Sequence, residues 1–194
     1  FDSPVRMDSL EVGFADRYKV GCWTEVRATI VDGGKAASGH VELVTPDGDG
    51  ALAAYRSQTF DLAPGERREV PVFIRFGRLH PTVSAAFVAK SGERIDLGDR
   101  AAPAALPATD RLLGTLGKSP LGAELARSTD LDRGSVSAVR VASVRELPSR
   151  WYGYEGVDWL FVAPSDVAIL DGLDAARADA LREWVRLGGR IVLS

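Results

Sequence analysis

Few residues in this sequence have side chains suited to nucleophilic or metal chemistry. There is one cysteine, Cys22, and the two histidines, His40 and His80, are far apart in the chain. A catalytic thiol needs a base and a carboxylate that converge on it, and one thiol excludes both a disulfide framework and cysteine-rich zinc patterns. Cys22 is predicted to be a small buried residue beside Trp23, His40 to lie on a strand surface, and His80 to lie in a turn before Pro81. The sequence therefore assigns no catalytic residue, no metal site and no cofactor.

The most unusual local feature is an aromatic loop, in which three rings are interleaved with glycines over residues 151–156. Such a loop could form a recognition lip at the carboxyl end of a sheet, where open α/β folds bind ligands. The alternative, a common use of such rings, is that they cap the core beneath a rigid turn. The candidate ligand-binding residues are Trp151, Tyr152, Tyr154 and Glu155.

Three other patterns fall short of a known motif. Gly114 and Gly117, followed by Lys118 and Ser119, lack the spacing of a phosphate-binding loop. The sequence DGDG at residues 47–50 lacks the later acidic ligands of a calcium loop. Further acidic residues are predicted to be loop residues and helix caps: Asp158, Asp166, Asp171 and Asp174.

The elements that would position these residues differ between the two halves of the chain. Over residues 9–97, apolar and polar residues alternate as in strands with one buried face. In one such run Val26, Ala28 and Ile30 alternate with polar residues. Pro71 places another run, residues 70–76, at a sheet edge, because proline has no N–H to donate. About seven such strands, separated by Gly and Pro turns, indicate an immunoglobulin-like β-sandwich over residues 1–98.

After an Ala/Pro-rich linker at residues 99–109, strands and helices alternate. Short strands are predicted at 111–117, 136–144, 157–163 and 190–194, and a short helix at 121–127. The clearest helix runs from 174 to 187, with Asp174 as its N-cap, a Gly-Gly stop, and an apolar stripe that includes Leu181, Trp184 and Val185. This order predicts a parallel, flavodoxin-like sheet over residues 110–194. The sheet is expected to be incomplete at Ser194.

The run WYGYEGVDWLFVAPSD, the helix DAARADALREWVRLGG and the strand RIVLS resemble the opening half of a class I glutamine amidotransferase-like domain. The resemblance covers about residues 110–194 and is greatest to divergent versions in large membrane-anchored bacterial proteins. It implies a partial three-layer α/β fold and, in active members, a nucleophile after an apolar strand. Ser194 is the one residue near such a position. Its alternative role is a strand-end hydroxyl bonded to backbone.

Composition excludes some classes of function. The net charge is −3 and the pI is about 5.5, so the basic surface expected of a nucleic-acid-binding protein is missing. No apolar run is long enough to cross a bilayer, and no signal-peptide pattern opens the sequence. Because the chain begins at Phe1, we expect that a segment upstream was cleaved or left out.

These observations favour a non-catalytic, extracytoplasmic scaffold or interaction region of a membrane-anchored bacterial protein. A protein partner is expected, and direct membrane contact by these residues is not. One alternative is an amidotransferase-like hydrolase whose catalytic residues lie beyond Ser194. The other is a carbohydrate-binding module, which requires an exposed, coplanar pair of rings among Trp151, Tyr152 and Tyr154.

Overall fold

The computed structural model describes residues 5–117, 135–163 and 170–193. The chain forms two compact units, and neither is a single stretch of sequence. The first unit comprises residues 1–12 and 25–104, and the second comprises residues 13–24 and 105–194. The predicted helix at 121–127, Asp166 and Ser194 all lie outside the described residues.

The first unit is built from β-strands in two sheets. One sheet has the order β1-β2-β6, and the other has the order β4-β3-β7-β8 with β5 paired to β3. Residues 23 and 24 of β2 belong to the second unit. The strands are β1 (Val5–Val12), β2 (Trp23–Asp32), β3 (Ala37–Pro46), β4 (Leu52–Arg56), β5 (Phe60–Leu62), β6 (Arg67–Arg75), β7 (Thr82–Ala89) and β8 (Arg94–Ala101).

The alternating pattern of the sequence is the reason for this arrangement. Side chains two apart on a strand share a face, and Val26, Ala28 and Ile30 are all fully buried. Neighbouring strands in the larger sheet run antiparallel, and β6, which contains Pro71, lies at a sheet edge as predicted. Two sheets with apolar inner faces make a sandwich-like unit.

The prediction of a single buried face is wrong for β2. Glu25 and Arg27, on the face opposite Val26, are buried as well. Charged groups are costly to bury unless they are paired, and the guanidinium of Arg27 lies 3.7 Å from the Glu25 carboxylate and 3.4 Å from that of Glu11. Polarity in an alternating strand therefore did not indicate exposure here.

The second unit contains a four-stranded parallel sheet of order β10-β9-β11-β12. Its apolar side chains form a core with one helix and with Phe14. Two 3₁₀ turns, Val144–Glu146 and Trp151–Tyr154, follow β10. The elements are β9 (Arg111–Leu116), β10 (Val136–Val141), β11 (Trp159–Val162), helix α1 (Ala175–Arg186) and β12 (Ile191–Leu193).

The flavodoxin-like, amidotransferase-like three-layer fold expected from the sequence is wrong. That fold needs helical layers on both faces of its sheet. The part of the chain that the structure describes is mostly β-strand, in three sheets, with α1 as its one α-helix. A parallel order of strands and a helix ending in Gly-Gly were thus too general to identify that family.

Helix α1 begins and ends as predicted. The Asp174 carboxylate accepts a hydrogen bond from the Arg177 backbone N–H at 2.8 Å, and this bond lowers the pKa of Asp174. Gly188 ends the helix with φ of 103°. The predicted stripe is partly wrong, because Trp184 is 6% exposed whereas Val185 is 42% exposed. No helix in the described ranges is long and apolar enough to span a bilayer.

Candidate functional site

The structure separates the four candidate residues of the aromatic loop. Trp151 is 44% exposed, Tyr152 is partly buried, and Glu155 is exposed. Tyr154, in contrast, is fully buried. One ring of the loop thus packs in the core, and others reach the surface.

Tyr154 belongs to a buried aromatic stack. Its ring is 5.1 Å from the ring of Trp184 at an interplanar angle of 22°, and 5.8 Å from that of Phe14 at 54°. Aromatic pairs at such distances stabilise a core beyond the area that they bury. The stack thus attaches the buried side of the aromatic loop to helix α1.

A second group of rings lies at the surface. The rings of Trp151 and Tyr152 are 5.6 Å apart at 83°, and those of Trp23 and Tyr152 are 6.0 Å apart at 63°. We call Trp23, Trp151 and Tyr152 the aromatic surface cluster. Sequence reasoning missed Trp23, because no local pattern links it to a loop that lies far along the chain.

Trp23 is supplied by residues 13–24, which we call the docking segment. The Glu155 carboxylate accepts a hydrogen bond from the Trp23 backbone N–H at 2.6 Å. The buried Lys19 ammonium lies 2.6 Å from the Asp158 carboxylate, and the same oxygen of Asp158 accepts the Leu112 N–H at 2.8 Å. The carboxylates of Glu155 and Asp158 therefore both hold the docking segment.

The start of the docking segment is a tight turn anchored by apolar side chains. Gly13 has φ of 62°, and a Cβ there would lie 2.5 Å from the Arg17 carbonyl oxygen, so only glycine fits. Tyr18 is buried, and this burial raises the pKa of its hydroxyl. The Tyr18 carbonyl accepts the Leu106 N–H at 2.8 Å, and the Leu106 carbonyl accepts the Val20 N–H at 2.9 Å. The segment is thus held by backbone as well as side-chain contacts.

The remaining candidates from the sequence are dispersed. Cys22 lies in the docking segment and is partly exposed, not buried as predicted. His40 is in β3, and His80 is in an exposed bend before Pro81. Within the described residues no three potential metal ligands cluster. The Asp47 carboxylate accepts hydrogen bonds from the backbone N–H groups of Asp49 and Ala51 in its own turn. Lys118 and Ser119 lie outside the described residues.

The first unit contains an open groove of about 730 Å³ beside the β2–β3 and β7–β8 turns. Its apolar lining includes Val5, Phe87 and Ile95, and its charged lining residues include Lys35 and Lys90. The Lys90 ammonium lies 3.4 Å from the Asp61 carboxylate. The sequence analysis did not single out this groove.

Residues 4–101 match the family model of a domain of unknown function, DUF8726. The chain belongs to this family. The match spans the strands of the first unit and also the docking segment. No curated protein sequence matches the chain.

Several solved structures resemble parts of the DUF8726 chain at low identity. The sporulation control protein Spo0M of Bacillus subtilis is 15% identical with a TM-score of 0.38, over 53% of this chain and 49% of that one. The C-terminal domain of Wzt is 10% identical with a TM-score of 0.39, over 53% and 72%. A Paenibacillus cycloisomaltooligosaccharide glucanotransferase is 15% identical with a TM-score of 0.36, over 81% and 20%. The chain thus spans about half the length of Spo0M, and these likenesses assign no function.

Proposed function

We propose that this DUF8726 chain is a non-catalytic interaction region that binds a protein partner through the aromatic surface cluster. The observation that carries the proposal is the partly exposed group of Trp151, Tyr152 and Trp23 on a loop fixed from below by Tyr154. Tryptophan and tyrosine are enriched among the residues that dominate binding energy at protein interfaces. A fixed loop also loses less conformational entropy when it binds.

The ring geometry favours a protein over a carbohydrate. The rings of Trp151 and Tyr152 are at 83° to each other, and Tyr154 is fully buried. No coplanar, exposed pair is therefore available among them to stack on consecutive sugar rings. Perpendicular rings present edges and a face together, which suits the irregular apolar surface of a protein.

The proposal places this region outside the cytoplasm, tethered to the membrane by segments beyond these residues. It is supported by the sandwich-like first unit, since many cell-surface domains share that architecture. A scaffold role requires a surface that binds a partner, and in this proposal the second unit presents that surface.

One experiment tests both the function and the location. A photo-crosslinking amino acid replaces the exposed Arg150, beside Trp151, in the full-length protein within intact cells of its own host. The control position is Leu79, which is 43% exposed against 44% for Trp151. We expect one discrete extracytoplasmic protein to crosslink at position 150 and not at position 79.

The affinity of that purified partner then decides the proposal. Truncation of a residue that dominates the binding energy of an interface costs about 2 kcal/mol or more, roughly thirtyfold in Kd. Trp151→Ala should weaken binding by about this factor, and Leu79→Ala should leave it unchanged. Equal affinity of the two variants would overturn the proposed interaction, and a cytoplasmic partner would overturn the location.

A further inference from the structure

The aromatic surface cluster is composite. Two of its rings, Trp151 and Tyr152, come from the 3₁₀ turn after β10, whereas Trp23 comes from the docking segment. Packing of the Trp23 ring on Tyr152 therefore depends on how the end of the docking segment is held. At the end of the docking segment, the Trp23 backbone N–H donates a hydrogen bond to the Glu155 carboxylate.

The rest of the docking segment has independent anchors. Phe14 and Tyr18 are buried, and the Lys19 ammonium is paired with the Asp158 carboxylate at 2.6 Å. The backbone between Tyr18 and Val20 is bonded to Leu106. Loss of the Glu155 carboxylate thus leaves these anchors in place.

We infer that Glu155 is a positioning residue, whose carboxylate fixes Trp23 against Tyr152 and so completes the aromatic surface cluster. A charge-assisted hydrogen bond to a backbone N–H is stronger than a neutral one. Glu155 is exposed and next in sequence to the buried Tyr154, so its backbone is fixed by the core while its side chain reaches the Trp23 backbone. This inference concerns the site of the proposed function and rests on that proposal for its biological meaning.

The first test needs no partner. Amide hydrogen exchange of Trp23 is measured by NMR in the wild type, in Glu155→Ala and in Glu155→Gln. The Leu160 amide, which donates to the Arg190 carbonyl within the parallel sheet, reports on the folding of the unit. Glutamine keeps an oxygen that can accept the Trp23 N–H and is therefore the matched control.

We expect Glu155→Ala to raise the Trp23 exchange rate at least about tenfold while the Leu160 rate stays within about twofold. Glu155→Gln should raise the Trp23 rate by less than about threefold. The Trp23 contribution to the near-UV circular dichroism should fall in the alanine variant and be retained in the glutamine variant. An unchanged Trp23 rate in Glu155→Ala, or an equal rise at Leu160, overturns the positioning role.

A second measurement separates this inference from the proposed function. The partner identified by crosslinking is titrated with both variants, and Glu155→Ala should bind more weakly than Glu155→Gln. If the exchange rates change as expected but the affinities for the partner are equal, Glu155 positions Trp23 and Trp23 takes no part in binding. If Trp151→Ala also binds normally, the proposed function fails while the positioning role stands.

Discussion

At the scale of single residues, the first unit contains a carboxylate held by two arginines. Glu42 in β3 is buried and accepts hydrogen bonds from Arg94 and from Arg56, the second at 2.8 Å. These bonds, with that of Arg94 first, lower the pKa of Glu42 below its ordinary value. A carboxylate whose pKa is lowered on folding adds stability at neutral pH, and that stability is lost as the pH falls through the lowered pKa.

Glu42→Gln should therefore destabilise the protein at pH 7 by about 1.5 to 3 kcal/mol, the range for hydrogen bonds to charged groups. Below about pH 4, where the ordinary glutamate carboxyl protonates, the difference from the wild type should shrink. Urea denaturation at pH 7 and pH 3 measures both effects. The control is Asp61→Asn, since the pKa of Asp61 is also lowered, first by a hydrogen bond from Ser38, but its side chain is exposed. Equal losses for the two variants at pH 7 would show that burial of Glu42 contributes nothing.

At the scale of elements, helix α1 shows how well the apolar periodicity of the sequence predicts which side chains of a helix are buried. The stripe correctly placed Trp184 in the core but wrongly included Val185. The reason is angular, because successive residues are about 100° apart around a helix. Ala180 and Trp184 share the buried face, and Val185 is turned to its rim. The Gly-Gly stop also has a packing role, since a Cβ at Gly189 would lie 2.3 Å from the Trp184 ring.

Trp184→Ala should destabilise the second unit by about 3 to 5 kcal/mol, the usual cost of truncating a buried tryptophan. The variant removes the ring that stacks on Tyr154 at 5.1 Å. Val185→Ala, one residue along and 42% exposed, should change stability by no more than about 0.5 kcal/mol. Chemical denaturation followed by far-UV circular dichroism compares the two. Similar midpoints would mean that the face assigned to the core is wrong.

The elements that sequence could predict are those set by local patterns. The alternation of apolar and polar residues predicted the strand that contains Val26 and Ile30. Pro71 predicted an edge of a sheet, and Asp174 predicted the start of helix α1. The candidate site depends instead on pairings across 132 positions, such as that of Trp23 with Glu155. No local period contains such information, and the resemblance of the second half to a known family added a wrong fold. The sequence therefore identified the loop but not the second segment that completes it.

At the scale of the whole molecule, the chain passes between its two units more than once. Residues 13–24 belong to the second unit although the residues on both sides of them, up to 12 and from 25, belong to the first. The predicted linker at 99–109 includes the end of β8 and also Leu106, which is bonded to the docking segment. A fragment cut at that linker would therefore keep the docking segment but lose what it binds.

Residues 1–98 alone should accordingly be less soluble than a variant in which a short Asn-Gly turn replaces residues 13–25. In the fragment Phe14 and Tyr18 lose their surroundings in the second unit, and exposing a buried side chain of that size costs about 1.5 to 3 kcal/mol. The replacement is geometrically possible because Val12 and Val26 are paired across the antiparallel strands β1 and β2, and Asn-Gly suits a tight hairpin.

In the intact chain the same replacement should lower stability, since Lys19 and Trp23 are removed from Asp158 and Glu155. Analytical ultracentrifugation compares the two fragments, and urea denaturation compares the two intact chains. A 1–98 fragment that is as monomeric as the variant fragment, or an intact variant as stable as the wild type, would show that contacts within the second unit do not hold the docking segment.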